Sequence, residues 1–177
     1  MRTLADAELV LELTERMAGF IRSTMAQHSS TAWAVVGLRR RGDLLARRLA
    51  QRLPGVAVGS LDITLYRDDL SEIGAQPVVR TSDIPFAIDG MQVVLIDDVL
   101  MTGRTIRAAL ESLKDLGRPA RVWLAVLVDR GGRELPIEPN FAALQLTDGE
   151  LSGGERVEVR LTPLDPEDAI VVWEAST

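Results

Sequence analysis

Apolar side chains recur at two periods along this chain, and the switching between them outlines its elements. Leu9, Val10, Leu13, Met17, Phe20 and Ile21 fall on one stripe at helical spacing, and Asp6 stands where it can cap the first turn. Ala34-Val35-Val36-Gly37-Leu38 is a continuous apolar run of strand length. The basic turn Arg39-Arg40-Arg41-Gly42 leads to a second helical stripe, Leu45, Leu49 and Leu53, which stops near Pro54-Gly55. Residues 56–66 predict a strand in which Leu61, Ile63 and Leu65 alternate with Asp62, Thr64 and Tyr66. Residues 67–89 lose periodicity and gather charges, Gly74, Pro77 and Pro85, as a functional loop or a weak β-arm would. A strand at 93–96, a helix at 104–116 closed by Gly117 and Pro119, and a strand at 122–128 follow. Pro136, Pro139 and the glycines between 149 and 154 predict an irregular excursion, after which short strands at 157–161 and 170–173 finish the pattern. Apolar strands alternating with helices predict an α/β fold, a largely parallel sheet with helices on both faces.

Composition narrows the chemistry. A chain of 177 residues suits one domain with a sizeable core, and we read residues 1–177 as a single unit. The formal charge of −6 argues against a generally basic nucleic-acid coat but leaves room for a local basic patch. Cysteine is absent and His28 is the sole histidine, which excludes thiolate chemistry and multi-histidine metal sites and makes a Ser-His-Asp triad improbable. His28 itself reads as a surface or capping residue, and Trp33, Trp123 and Trp173 as core or interface anchors. No apolar run is long enough to span a bilayer and no signal-type segment is read, so a cytoplasmic location is expected.

The chemistry concentrates in Val93-Val94-Leu95-Ile96-Asp97-Asp98-Val99-Leu100-Met101-Thr102-Gly103-Arg104-Thr105. Two carboxylates end a buried parallel strand, and a glycine- and hydroxyl-bearing turn opens a helix. In an open α/β sheet that crevice is where ligands bind, and a helix N-terminus there favours phosphate. Carboxylates beside a phosphate cradle suit a sugar phosphate, with the acids accepting from its hydroxyls or holding Mg2+. A second anion site is expected at Arg39-Arg40-Arg41-Gly42. Six arginines and one acid, Asp43, lie between positions 39 and 52. Arg47 and Arg48, extended by Arg16 and Arg22 on the first helix, offer a phosphate-contacting surface for RNA.

These residues carry a resemblance. Residues 93–105 look like the phosphoribosyl-diphosphate (PRPP) signature of type I phosphoribosyltransferases. Gly59-Ser60-Leu61-Asp62-Ile63-Thr64-Leu65-Tyr66-Arg67-Asp68-Asp69 and Leu127-Val128-Asp129-Arg130-Gly131-Gly132-Arg133-Glu134-Leu135-Pro136-Ile137 are similar to the PyrR family, pyrimidine-operon attenuation regulators that are also uracil phosphoribosyltransferases. The resemblance implies the type I phosphoribosyltransferase fold, with a mobile arm at 67–89 and a small base-side hood at 130–155. It implies that Asp97 and Asp98 bind the ribose hydroxyls and Mg2+. Val99, Leu100, Met101, Thr102, Gly103, Arg104 and Thr105 would line the PRPP or nucleotide pocket, with residues 101–105 cradling the 5-phosphate. Arg40, Arg41 and Gly42 would meet the pyrophosphate, and a closing loop from Arg67 to Arg80, with Arg80 catalytic, would exclude water. Asp129, Arg130 and Phe141 would stand on the base side. Implied ligands are PRPP, uracil, UMP or UTP, and the leader mRNA of a pyrimidine operon, in a homodimer or higher even assembly.

The chain departs from the family at three places. Met101 replaces a tyrosine and Gly132 a histidine. Ala143-Leu144 stands for a glycine-lysine pair, which removes a cation from the base side. A nucleotide-sensing RNA regulator with weak or no transferase activity, or a transferase for another base, therefore stays open beside the bifunctional reading.

Overall fold

The computed structural model describes residues 1–38, 40–64, 82–147, 151 and 154–174. Strand β1 (Arg2–Ala5) precedes helix α1 (Ala7–Gln27), strand β2 (Trp33–Leu38), helix α2 (Arg41–Ala50) and strand β3 (Ala57–Leu61). Strand β4 (Gln92–Leu100), helix α3 (Arg104–Leu116), and strands β5 (Arg121–Asp129), β6 (Phe141–Gln145), β7 (Arg156–Arg160) and β8 (Ala169–Trp173) follow. A five-stranded sheet runs β3-β2-β4-β5-β6, every neighbouring pair parallel. Strands β1, β8 and β7 form a separate antiparallel sheet of three.

Period-two alternation divides the core. Val35, Val94, Ile96, Ala125 and Leu127 face one cluster with α1 and α2, whereas Ala34, Val36, Val93, Leu95, Leu124 and Val126 face another with α3. Both faces are covered, so the strands read as continuous apolar runs rather than alternating ones. Sheet order turns at the β2–β4 pair. From β2 the chain steps outward through α2 to β3, then returns to β4 and steps the other way through α3 to β5. That reversal is the place where an open sheet leaves a crevice beyond its strand ends.

Most predicted elements are present, with instructive differences. Asp6 caps α1 through Oδ1, which accepts from Leu9 N at 3.0 Å. Strand β3 stops at Leu61 rather than running to 66, because Asp62 Oδ1 accepts from Thr64 N at 2.8 Å and turns the backbone. Strand β4 continues through both acids to Leu100, held by β5 as far as the Leu100–Asp129 pair. The stretch expected to be irregular contributes β6, the edge strand beside β5. Strand β1 is a further element beyond those predicted. The 67–89 arm falls largely outside the described residues; its far end returns to β3, where Ser60 and Asp83 exchange two backbone hydrogen bonds of 2.8 Å. Ring stacks fix α1 on the sheet: Phe20 on Phe141 at 4.9 Å, and His28, the C-cap, edge-on to Trp123, which stacks on Trp33. No helix among the described residues is long and apolar enough to cross a membrane.

The small sheet is tied to α2 by charge. Arg48 donates to both oxygens of Asp168, and Arg41 donates from Nε (3.1 Å) and Nη2 (2.9 Å) to Asp165. Arg48 holds the Asp168 carboxyl down at about 2. In the unfolded chain it titrates near about 3.9, so the stabilisation is full above that value and is lost as pH falls toward 2. Asp168→Asn is expected to lower stability at neutral pH by about 1–2 kcal/mol. Denaturant unfolding of both proteins across the acid range should show the gap closing as pH falls.

Candidate active site

Two glycines bring the ends of β2 and β4 together. A Cβ on Gly37 would lie 2.3 Å from the Gly42 carbonyl oxygen, and one on Gly42 only 2.5 Å from the Ile96 carbonyl oxygen. The first turn of α2 thus lies backbone to backbone against β4 at the residue before Asp97. Asp97 is buried at 6% exposure, and its Oδ1 accepts from Asp98 N at 3.0 Å. Burial pushes the Asp97 carboxyl well above the ordinary range, reinforced by the Asp98 charge. Burial also raises Asp98, against the opposing pull of the Asp97 hydrogen bond and the Arg41 charge. Two adjacent carboxyl groups in a buried setting disfavour being charged together.

Beyond Leu100 the chain makes the turn that opens α3. Gly103 is the N-cap of the helix at φ 89° and brings no capping side chain of its own. Thr102 Oγ1 accepts from Arg104 N at 3.3 Å. Uncapped N–H groups at a helix start favour an anion. Residues 129–138 pack over this turn: Glu134 N and Leu135 N both donate to the Thr102 carbonyl at 3.0 Å, and Arg130 N donates to the Leu100 carbonyl at 3.0 Å. The Arg133 guanidinium reaches the Met101 carbonyl (3.0 Å), the Ile137 carbonyl (2.7 Å) and Asp129 Oδ2 (2.7 Å).

The structure brings Asp97, Asp98, the 99–105 segment and Arg41-Gly42 to one crevice, with exposed Arg40 at the start of α2. Other expected site residues also make structural contacts. Arg41 faces Asp98 but its guanidinium is clasped by Asp165, with Glu158 at 3.7 Å. Asp129 is buried and engaged by Arg133 and by Gly131 N (3.0 Å), so it organises the loop rather than presenting a free carboxylate to a base. Phe141 stacks on Phe20 of α1 and is partly buried against the core. Among the described residues the Nε of Arg130 is buried without a hydrogen-bond partner. Ala143 is buried and Leu144 packs against the core. Arg39, Tyr66 and Arg80, with the whole 67–80 closing loop, lie outside the described residues.

The α1–α2 arginines are laced to neighbours. Arg22 donates to the Arg52 carbonyl (3.2 Å), Arg47 to Asp43 (3.1 Å), Arg48 to Asp168 and Arg52 to Glu15, while Arg16 lies exposed on α1. Sequence reasoning missed Arg133, Glu158, Asp165 and Asp168. The four-residue spacing of Asp129 and Arg133 was a signal, but in a segment with no helical pattern.

Residues 2–149 match the phosphoribosyl transferase domain family. A bifunctional protein PyrR from Akkermansia muciniphila is 48% identical over 171 residues, covering 94% of this chain and 93% of that one. Another from Roseiflexus is 52% identical over 166 residues, covering 91% and 84%. Among solved structures, a hypoxanthine phosphoribosyltransferase from Trypanosoma cruzi in a ternary substrates complex superposes with a TM-score of 0.71 at 19% identity, covering 96% and 93%. A hypoxanthine-guanine phosphoribosyltransferase from Bacillus anthracis gives 0.66 at 16%, covering 84% and 85%. At these identities the likeness to the solved structures concerns the fold.

Because Asp97 is raised in the fold, its ionisation weakens the fold as pH rises through that raised value; below the unfolded value both states are protonated and the penalty vanishes. Asn at this position keeps the acceptor for Asp98 N without the charge. Calorimetry of ligand-free Asp97→Asn should find the unfolding temperature up by about 2–4 °C at neutral pH, with the gain shrinking toward pH 4.

Proposed function

The chain belongs to the PyrR family and carries a phosphoribosyl transferase domain, and on that footing we propose that its crevice transfers the phosphoribosyl group of PRPP to uracil. The protein is a uracil phosphoribosyltransferase and, with UMP or UTP in the same pocket, a regulator that binds pyrimidine-operon leader mRNA and attenuates transcription. The carrying observation is the meeting of the Asp97–Asp98 pair with two helix N-termini at the sheet reversal.

In this reading residues 101–105 and the first turn of α3 take the 5-phosphate, and Asp97 and Asp98 accept from the ribose hydroxyls. The start of α2, with Arg40 and Arg41, receives the leaving diphosphate. Arg41 is held ready by Asp165 and Glu158, whose hold a diphosphate would contest. The C1–O bond to diphosphate breaks as uracil N1 bonds to C1, and the N1 proton departs with solvent. Positive charge develops on the ribosyl carbon, so a preset anion site gains most where charge separates. Arg130, whose buried Nε has no acceptor among the described residues, would stand on the base side and donate to a uracil carbonyl.

Adjacent carboxylates are hard oxygen donors that fit Mg2+, and among the described residues no group of three or more Asp, Glu, His or Cys forms a metal cage. Asp97 and Asp98 would hold the ion together with substrate oxygens and water, and when bound it offsets the charge of the departing diphosphate.

For regulation, the occupied pocket favours the RNA-competent state, which requires nucleotide to bind that state more tightly. Arg16, Arg22, Arg47 and Arg48 on α1 and α2 would contact RNA phosphates, a face that a homodimer or higher even assembly would extend.

UMP formation from uracil and PRPP with Mg2+ tests the transferase. The wild type should turn over uracil in preference to orotate, hypoxanthine or guanine, and Asp97→Asn/Asp98→Asn should lose at least about a thousandfold. Turnover surviving in the double variant would refute the site. Nucleotide-stimulated, salt-sensitive retention of leader RNA on filters tests the regulator; UMP binding without turnover would leave the regulator alone.

A further inference from the structure

Arg133 is itself assigned to no ligand, yet it holds the backbone of the turn that is. A trans peptide is planar, so its C=O and the N–H that follows point opposite ways. Arg133 Nη1 holds the Met101 carbonyl at 3.0 Å, which aims the Thr102 N–H away from residues 129–138. The Thr102 carbonyl is held at 3.0 Å by Glu134 N and Leu135 N, which aims the Gly103 N–H the same way. Residues 135 and 137 lie close over the turn: a Cβ on Gly103 would come within 3.3 Å of Ile137 Cβ and 3.4 Å of Leu135 Cβ, near contact distance.

The guanidinium is itself immobilised. Asp129 Oδ2 (2.7 Å), the Ile137 carbonyl (2.7 Å) and Glu138 (3.3 Å) take its other donors, and its side chain is 16% exposed. A charged donor on the Met101 carbonyl also polarises that peptide, making the Thr102 N–H a stronger donor on the far side.

We infer that Arg133 is a positioning residue that presets the turn at 101–103 to receive the 5-phosphate of the ribose. The inference rests on the assignment of residues 101–105 to that phosphate. It predicts a ligand-selective defect, because the diphosphate end is assigned to the start of α2, which among the described residues makes no hydrogen bond or ion pair with Arg133.

Titration calorimetry of the full-length protein with ribose 5-phosphate and, separately, inorganic pyrophosphate tests it in the wild type, Arg133→Met and Arg133→Lys. Arg133→Met should weaken ribose 5-phosphate by about 10- to 100-fold and leave pyrophosphate unchanged, with KM for PRPP rising while KM for uracil holds. Lysine keeps the charge beside Asp129 but lacks the fork that spans to the Met101 carbonyl. Arg133→Lys should therefore unfold near the wild-type temperature yet show an intermediate loss for ribose 5-phosphate alone, and it carries the test if the methionine variant fails to fold. Equal weakening of both ligands, or weakening of neither, would overturn the inference. A wild type that takes up pyrophosphate but not ribose 5-phosphate would overturn the assignment of the turn itself, and the inference with it; wild-type data alone distinguish that failure.

Discussion

Where the turn after β2 meets strand β4, main chain lies against main chain with no space for a methyl group at Gly37 or Gly42. The rest of the site depends on that approach. It carries the first turn of α2, with Arg40 and Arg41, to the level of the two acids on β4. It also occurs at the one place in the sheet where strand order reverses, so the helices on either side start toward a common crevice from opposite faces. A larger residue at either position would push α2 outward and part the cationic end of the crevice from the anionic one.

Charge is then arranged in series across the crevice. Asp97 and Asp98 repel each other in a buried setting, Arg41 relieves Asp98, and Asp165 with Glu158 restrains Arg41. An excess of acid over base in the whole chain is compatible with anion binding, because the arginines are placed and the surplus acids hold them at fixed angles. Sites tuned for ligands commonly carry such strain at the expense of the empty fold.

Legibility followed chain connectivity. Strands β2, β4 and β5 and helix α3 were readable because each is long, apolar and ended by a recognisable stop, such as Gly117 after α3. Strand β6 was hidden: Phe-Ala-Ala-Leu-Gln has no β-branched residue, and Pro136 and Pro139 precede it, so only its neighbour β5 makes it a strand. β1 is four residues long and depends on β8 for its pairing. Of the site, Asp97, Asp98 and the 101–105 turn were legible because they are contiguous. The contacts of Asp129, Phe141 and Arg133 were not legible because their partners (an arginine on a non-helical loop, a ring on α1, a backbone carbonyl) show no local pattern. The acids that clasp Arg41 come from a segment more than a hundred residues away, a distance at which no local pattern speaks.

The small antiparallel sheet joins the earliest strand to the latest, and this bears on how the molecule comes off the ribosome. Strand β1 emerges first but gains its partner β8 only after nearly everything else has been made. The strands of the five-stranded sheet and the turn after β4 are all made before that late segment, but the core face beneath α1 and α2 closes only when Val157, Val159, Leu161, Ile170 and Val172 arrive. The carboxylates of Asp165 and Glu158 arrive with them. Closing so long a loop is slow, and the cationic end of the crevice is therefore the last part of the binding surface to mature during synthesis.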